Sequence, residues 1–407
     1  MKSLNRGWLV CLIVSLFFSY ELVQLHMLNA ISSQVMKDLG LSTTDFSALC
    51  SSYLLADVIF LLPAGMILDR ISVRKAVLAA LLLCITGTFG FALSKTLLQA
   101  SISHFLSGIG NAFCFLSCMI LANSWFGKKS SFVMSIMITI GLLGGVFAQT
   151  PFTLLSEHFG WQKTLLIDGF IGCFILFLNY LFVHEKQDSI ASRSKLSIQE
   201  FFSELKMTFS NAQVWKCGFY TGFLNLPLMI ISAMIGNLYL TQGLHFDTLS
   251  ASWITSMISF GTILGSPCYG FLSDLYQNKK IWMIVGSLLS LSTFSTLFFI
   301  DHPSLFSMMA IFFSLGFFSA SQVLGYPMIT ESAPKKLKGA SMGLAALLIM
   351  GLAFIGQPLT GFLVDIASTK SGYNFTYALL IFPVGFLISL ITSCFLKEEL
   401  PETAREL

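Results

Sequence analysis

Charged side chains are scarce in this sequence: of 407 residues, 11% are Asp, Glu, Lys or Arg, against 55% hydrophobic and a mean hydropathy of +0.80. An ordinary water-soluble chain carries about 25% charged residues to wet its surface. That deficit excludes a soluble globular fold, and 40 Phe exclude a disordered chain. Chemistry-bearing patterns are missing as well. The nine cysteines all lie in apolar runs and form no C-x-x-C pair, so they read as small buried packers. There is no H-E-x-x-H, no Walker loop and no clustered Ser/His/Asp set, and His158, His245 and His302 stand alone in loops. The chain therefore reads as no enzyme, with no metal and no cofactor, and ATP-driven pumping has no engine in it. A net charge of +3 gives no footing for nucleic acid.

What the sequence has in quantity is long apolar runs. Twelve are predicted as transmembrane helices, at 7–30, 46–67, 76–94, 98–122, 131–155 and 163–183, then at 214–240, 249–272, 281–300, 304–328, 340–365 and 374–396. Runs this long and without alternation are helices, because in hydrocarbon only helices or closed barrels satisfy their own backbone. The first run has no small-residue cleavage site and reads as a retained helix, not a signal peptide. With the N-terminus placed inside, only Lys37, Lys95, Lys163 and Lys370 of the 23 Lys and Arg fall in outer loops, and Lys216 sits at a helix edge. All others are inner, which puts both termini in the cytoplasm, here of a bacterial inner membrane.

The expected organisation is an N-terminal six-helix bundle (1–183), a cytoplasmic linker (184–213), a C-terminal six-helix bundle (214–396) and a short cytoplasmic tail (397–407), in a monomer. Within the linker, Phe201, Phe202, Leu205 and Phe209 recur at helical spacing, which predicts a short amphipathic helix on the inner membrane surface.

The two halves repeat each other. Residues 63–78 read PAGMILDRISVRKAVL and residues 268–283 read CYGFLSDLYQNKKIWM; Gly65 matches Gly270, Asp69 matches Asp274, and Arg74/Lys75 match Lys279/Lys280 at an offset of 205. Pro151 and Pro358 belong to a second match, at an offset of 207. Both copies are inner loops followed by an outgoing helix, so the repeat is parallel, about an axis along the membrane normal, as in a two-bundle transporter with its site between the halves. A glycine there admits close helix approach, and an aspartate can pair with bases or cap a facing helix N-terminus. Such a cluster can latch the inner helix ends in one state and release them in another. Gly65, Asp69, Arg70, Arg74, Gly270 and Asp274 are the candidate gating residues; a plain topology signal with a surface ion pair is the competing account.

The stretch GMILDRISVRK, from Gly65 to Lys75, with its copy GFLSDLYQNKK, resembles the signature loop of the major facilitator superfamily, and the resemblance extends over residues 7–396. GLLGGVFAQTP (Gly141 to Pro151) and GLAFIGQPLTG (Gly351 to Gly361) are similar to that family's glycine- and proline-rich helix 5. The resemblance implies an all-α integral membrane fold of 12 transmembrane helices, in two six-helix bundles related by a pseudo-two-fold axis along the membrane normal. It also implies a secondary transporter working by alternating access, with helices 1, 4, 7 and 10 lining a central cavity. One position departs from the family: helix 4 often carries an arginine four residues before a glycine, where this chain has His104 before Gly108. Histidine titrates but is no permanent cation. Parts of the N-terminal half are distantly similar to the organophosphate and sugar-phosphate permease branch, without its cavity arginines.

Ionisable groups inside a span cost about 2.5–3.5 kcal/mol each, so those present need a reason. The deepest are Glu21, roughly 20 Å into helix 1 at 1.5 Å per residue, and Asp57, near the same depth in helix 2; His104 and His26 lie in the outer halves of helices 4 and 1. One reading is a proton-coupling or cation-binding cluster, the other is polar glue between helices. Polar stripes fall on the helices that the resemblance assigns to the cavity. Helix 4 carries His104, Ser107, Asn111, Cys114 and Cys118; helix 10 carries Ser319, Gln322, Tyr326 and Thr330; helix 7 carries Tyr220, Thr221 and Asn225. Helix 1 carries Tyr20, Glu21 and Gln24, and also a second arc of Ser15, Ser19, His26 and Asn29, which leaves open which arc faces the cavity. The helix 4 stripe reads equally as a small-residue packing seam. Candidate substrate-binding or proton-coupling residues are thus Glu21, Asp57, His104, Tyr20, Gln24, Asn111, Asn225, Gln322 and Tyr326.

A phosphate site wants cavity arginines, and every Arg of this chain lies in an inner segment. Acids without fixed cations suit a zwitterionic or cationic solute such as an amino acid or small peptide, or a neutral solute moved with protons through Glu21. The expected partners are a small-molecule solute, protons and the lipid bilayer. The alternatives are an organic-anion or sugar-phosphate exchanger and, in a different class, a membrane sensor built on a transporter fold.

Overall fold

A computed structural model of the chain describes residues 2–68, 70–184, 203, 206–300, 303–334, 337–369 and 372–398. Among them no strand forms; the single bridge joins Thr369 and Gly372. The predicted amphipathic stretch at Phe201, Phe202 and Leu205 lies outside the described residues, as does Asp69.

The first half of the chain forms α1 (Lys2–Leu39), α2 (Thr43–Leu68), α3 (Val73–Ala92), α4 (Leu97–Phe126), α5 (Ser130–Phe147), α6 (Thr150–Phe159) and α7 (Trp161–Phe182). Helix starts follow local chemistry: Ser72 and Thr96 accept the amide three residues on and so cap α3 and α4. The run expected as one helix at 131–155 is broken after Phe147. Pro151 stands in the first turn of α6, where its missing N–H leaves no helical bond unmade.

The second half begins with α8 (Ala212–Leu226), which passes into a π-helical stretch Pro227–Ile235, the short α9 (Gly236–Leu238) and a second π-helical stretch Tyr239–Gly243. Pro227 cannot donate to the turn before it, and wider turns follow. Then come α10 (Thr248–Leu275), α11 (Lys279–Ser295), α12 (Leu305–Ser319), a 3₁₀ turn Ala320–Leu324, α13 (Gly325–Ser332), α14 (Lys338–Ala367), α15 (Thr376–Leu379) and α16 (Ile381–Cys394). Asp247 caps α10: its Oδ1 accepts the Ser250 N–H at 2.9 Å, and hydrogen bonds from Ser250 hold its carboxyl below the usual carboxylate range.

By length and apolarity 11 segments of the described residues can cross a membrane. The run predicted at 249–272 is the one below that apolarity, yet it forms the 28-residue α10, about 42 Å long and ample for a bilayer. Ser and Thr dilute its hydropathy, and their hydroxyls bond back to their own helix, as Thr262 does to the Ile258 carbonyl at 2.9 Å and Ser266 to the Thr262 carbonyl at 2.8 Å.

The chain divides into two compact units, one of Met1–Lys195 with Ala233–Leu238 and Asp247–Ser252, the other of Leu196–Ser232, Tyr239–Phe246 and Trp253–Leu407. In the first, Val10, Val14 and Phe17 of α1 share a core with Val77 and Leu81 of α3 and Leu121 of α4. Outward faces are apolar too: Phe170, Phe174 and Phe177 of α7 are exposed, as lipid contact requires, while Asp168, Gly172 and Asn179 on the same helix are buried. In the second, Phe294 packs on Phe382 and Phe386 at ring distances of 5.0 and 6.0 Å.

Small residues set the helix crossings. A Cβ at Gly108 would stand 2.3 Å from the Tyr53 carbonyl oxygen, and one at Gly316 would stand 2.1 Å from that of Ile258. Gly65 and Gly270, expected to admit such approach, have no atom within 4 Å of a built Cβ. Both lie on open flanks of their helices, and the close crossings occur nearer mid-helix.

Candidate functional site

Glu21 is fully buried on α1. Its Oε2 accepts the Tyr53 hydroxyl of α2 at 2.8 Å, and the same hydroxyl lies 3.1 Å from the Glu21 carbonyl oxygen. Oε1 lies against Gly110 of α4, the Cys84 thiol of α3 hydrogen-bonds the carboxyl, and no N–H or O–H donor among the described residues reaches Oε1. No Lys or Arg occurs between Arg6 and Lys37, between Lys37 and Arg70, between Lys75 and Lys95, or between Lys95 and Lys128. The helices around this carboxyl therefore supply no counter-charge within their spans.

The rest of the helix 1 arc makes a second network. Gln24 Nε2 donates to Asp168 Oδ2 of α7 at 2.5 Å, Thr88 Oγ1 of α3 donates to Gln24 Oε1 at 3.0 Å, and the Tyr20 hydroxyl lies 3.2 Å from Thr88 Oγ1. Tyr20, Glu21 and Gln24 thus face the interior of the first unit, where α2, α3 and α7 offer partners. The other arc also finds bonds within that unit: Asn29 Nδ2 donates to Gln149 at the break before α6 at 2.9 Å, and Asn29 Oδ1 accepts the Asn237 amide at 2.9 Å.

Asp57 and His104 lie apart from these bonds. Asp57 interacts with the Asn111 side chain, and its Oδ1 has no hydrogen-bond partner among the described residues; it is 2% exposed. His104 packs between Tyr53 and Phe91 at ring distances of 5.1 and 5.8 Å, with Nδ1 unpartnered. Down the same stripe, Ser107 donates to the Cys84 carbonyl at 3.2 Å, and the Cys118 thiol lies 3.9 Å from the Val14 carbonyl. This part of the stripe is a packing seam between α4 and its neighbours. Small residues face it because the helices are close.

In the second unit the polar partners nearest the predicted residues are neutral. Gln322 Nε2 donates to Asn225 Oδ1 at 3.0 Å, leaving Gln322 Oε1 unpartnered, and Tyr326 is half-buried one turn on. The 3₁₀ turn at Ala320–Leu324 interrupts the single face on which Ser319, Gln322, Tyr326 and Thr330 were expected. Tyr220 bonds Ser321 Oγ at 3.0 Å and the Met283 carbonyl at 3.2 Å.

At the two repeated loops the copies diverge. Arg74 Nη2 donates to the Tyr180 carbonyl at 2.6 Å, its guanidinium 5.4 Å from the centre of the Tyr180 ring, while Arg70 is exposed. The matching Lys279 pairs with Glu331 at 2.8 Å, and its amide donates to Glu398 at 2.5 Å. Asp274 is exposed and makes no ion pair among the described residues, because the nearby lysine is held by both oxygens of Glu331.

Sequence reasoning missed Asp168, Tyr53 and Thr88. Asp168 carried a signal, an acid inside the run 163–183, identical in kind to that of Glu21. Tyr53 and Thr88 carried none, since a tyrosine or threonine in an apolar helix acquires meaning only from what it touches.

Comparison with known proteins agrees with the fold. A family model of the Major Facilitator Superfamily matches residues 9–236 and 226–407. The probable galactarate/D-glucarate transporter GudP of Bacillus subtilis is 21% identical over 381 residues, 84% of this chain and 82% of that protein. The lysosomal dipeptide transporter MFSD1 of Mus musculus is 25% identical over 365 residues, 83% of this chain and 75% of that protein. The crystal structure of the nucleoside transporter NupG superposes with a TM-score of 0.78 at 13% identity, covering 95% of this chain and 100% of that one. Membrane-spanning helices in number, a parallel internal repeat and a family match over nearly the whole length converge: the chain is a multi-pass membrane transporter that belongs to the Major Facilitator Superfamily.

Proposed function

We propose that this transporter moves a small zwitterionic solute, an amino acid or short peptide, by alternating access coupled to protons, with Glu21 as the coupling carboxyl. The observation that carries this reading is the buried Glu21–Tyr53 pair with no basic side chain in the surrounding spans. An ionised carboxylate in such surroundings is costly unless compensated, so taking up a proton changes which conformations are accessible. Asp57 with Asn111 is a second interior carboxyl of the same bundle, and His104 a neutral ring between aromatics. Asn225, Gln322 and Tyr326 supply hydrogen-bonding groups for the solute from the second unit.

The similarity to a dipeptide transporter favours the zwitterion. The similarity to a sugar-diacid transporter favours the alternative of an organic anion, against which stands the absence of Arg from the twelve predicted apolar runs. The reading includes a monomer with both termini cytoplasmic in a bacterial inner membrane, two bundles at 1–183 and 214–396 joined by the 184–213 linker, and inner ends gated by Asp69, Arg70, Arg74 and Asp274. Proteoliposome uptake of pooled amino acids, dipeptides, sugars and sugar diacids, with and without an imposed pH gradient, tests it. Accumulation of an amino acid or dipeptide should follow the gradient and be lost in Glu21→Gln; full gradient-driven accumulation in that variant refutes the coupling role.

A further inference from the structure

The proton-coupled reading uses Glu21 and Asp57 and leaves a third buried acid of the same unit, Asp168, without a task. It sits about two turns into α7, 6% exposed, on the face away from Phe170, Phe174 and Phe177. Its Oδ2 accepts from Gln24 Nε2, the other end of that amide accepts from Thr88 Oγ1, and Thr88 in turn meets the Tyr20 hydroxyl. One chain of bonds thus ties α1 to α3 and α7. Among the described residues no cation stands at its acid end. The titratable side chains that sense Asp168 are Tyr20 of α1 and Cys84 of α3. On α6, Glu157 and His158 are exposed; on α7 itself Lys163 is exposed a turn away; Arg74 of α3 is engaged at Tyr180.

This chain has two complete arrangements. The single hydroxyl proton of Thr88 has two acceptors, Gln24 Oε1 and the Cys84 carbonyl, each at 3.0 Å. With the acid ionised, the Gln24 amide N–H points at Asp168 and Thr88 donates to Gln24, as described above. With the acid protonated, Asp168 becomes a donor. A half-turn of the Gln24 amide then presents its oxygen to Asp168 and its N–H to Thr88, whose hydroxyl turns to the Cys84 carbonyl. The acid, the amide and the Thr88 hydroxyl are satisfied in both states. A carboxyl serving only as polar glue needs one such arrangement, whereas a carboxyl that changes charge needs two.

We infer that Asp168 is a further proton-carrying carboxyl of the transport cycle, its protonation relayed through Gln24 to Thr88, the partner of Tyr20 beside Glu21 on α1. The inference rests on the proton-coupled reading and adds a site to it. The step is protonation alone: the carboxylate takes H⁺ from water and returns it, with one O–H bond formed and broken.

Difference infrared spectroscopy of the carboxyl C=O stretch in the reconstituted full chain tests this, with protons as the only ligand added. On acidification, Glu21→Gln should lose one protonated-carboxyl band and Asp168→Asn a different one. Thr88→Val should keep the Asp168 band but move both its position and its titration midpoint, which a purely structural carboxyl would not show. If Asp168→Asn does not fold, Thr88→Val decides alone: a band that survives both Glu21→Gln and Asp57→Asn must move. An Asp168→Asn spectrum identical to the parent, or a Thr88→Val spectrum in which no band moves, overturns the inference. The Glu21 band is read independently, so the coupling role of Glu21 and that of Asp168 fail separately.

Discussion

The two units share a sequence repeat and a helix-crossing device but differ in what they bury. At Gly108 in the first and Gly316 in the second, a helix presses on the carbonyl of a neighbour, Tyr53 or Ile258, through the absence of a side chain. Around those crossings the first unit buries Glu21, Asp57, Asp168 and His104, whereas the interior bonds described in the second run through Tyr220, Asn225, Ser321 and Gln322. The ion pair of the second unit, Lys279 with Glu331, lies instead at partly exposed helix ends. Duplication preserved the packing, because helix crossings tolerate little change. The interiors diverged, because neutral and ionisable polar groups can occupy similar volumes while having different chemistry.

Three tests, with five substitutions between them, sharpen or break this contrast. The largest effect is expected from comparing Glu21→Gln with Gln322→Leu in the uptake assay. The first should abolish the response to a pH gradient; the second should weaken solute affinity and leave that response in place. Equal loss of the response in both would erase the functional difference between the units. Next, Gly108→Leu and Gly316→Leu should destabilise their units alike, by about 1–3 kcal/mol or more as overpacked crossings, seen as lowered melting temperatures in detergent. A large effect in only one would show that the crossings are not equivalent. The smallest change is expected from Lys279→Met: both partners are partly exposed, so loss of the Glu331 pair should cost at most about 1 kcal/mol. A melting shift as large as that of the glycine variants would give the inner cluster a structural weight its exposure does not suggest.

Much of the fold was legible because lipid imposes strict rules. Apolar runs had to be helices, the placement of Lys and Arg pointed to one side, and the matches of Gly65 to Gly270 and Asp69 to Asp274 exposed the repeat. The break after Phe147 lies where Pro151 closes the glycine-rich stretch 141–151, at the kink that a proline within a helical run leaves. The polarity of α10 was misleading, since hydroxyls that bond to their own helix cost less than their hydropathy implies. At the candidate site, Glu21 and Asp57 were found by the cost of placing acids in a span. Asp168 obeyed the same rule and was passed over.

By itself the sequence determined that this chain lives in a membrane, where its helices run, that its halves are related, and which residues carry charge in an apolar setting. Periodicity also told which residues share a face of one helix. It could not tell what that face meets, because the rotation of a helix about its axis is decided by packing against all its neighbours at once. Only the tertiary structure turned Tyr20, Glu21 and Gln24 toward Thr88, Tyr53 and Asp168, made a seam of Ser107 and Cys118, and left Gly65 and Gly270 open. Partners so far apart in the chain become neighbours only when the bundle closes.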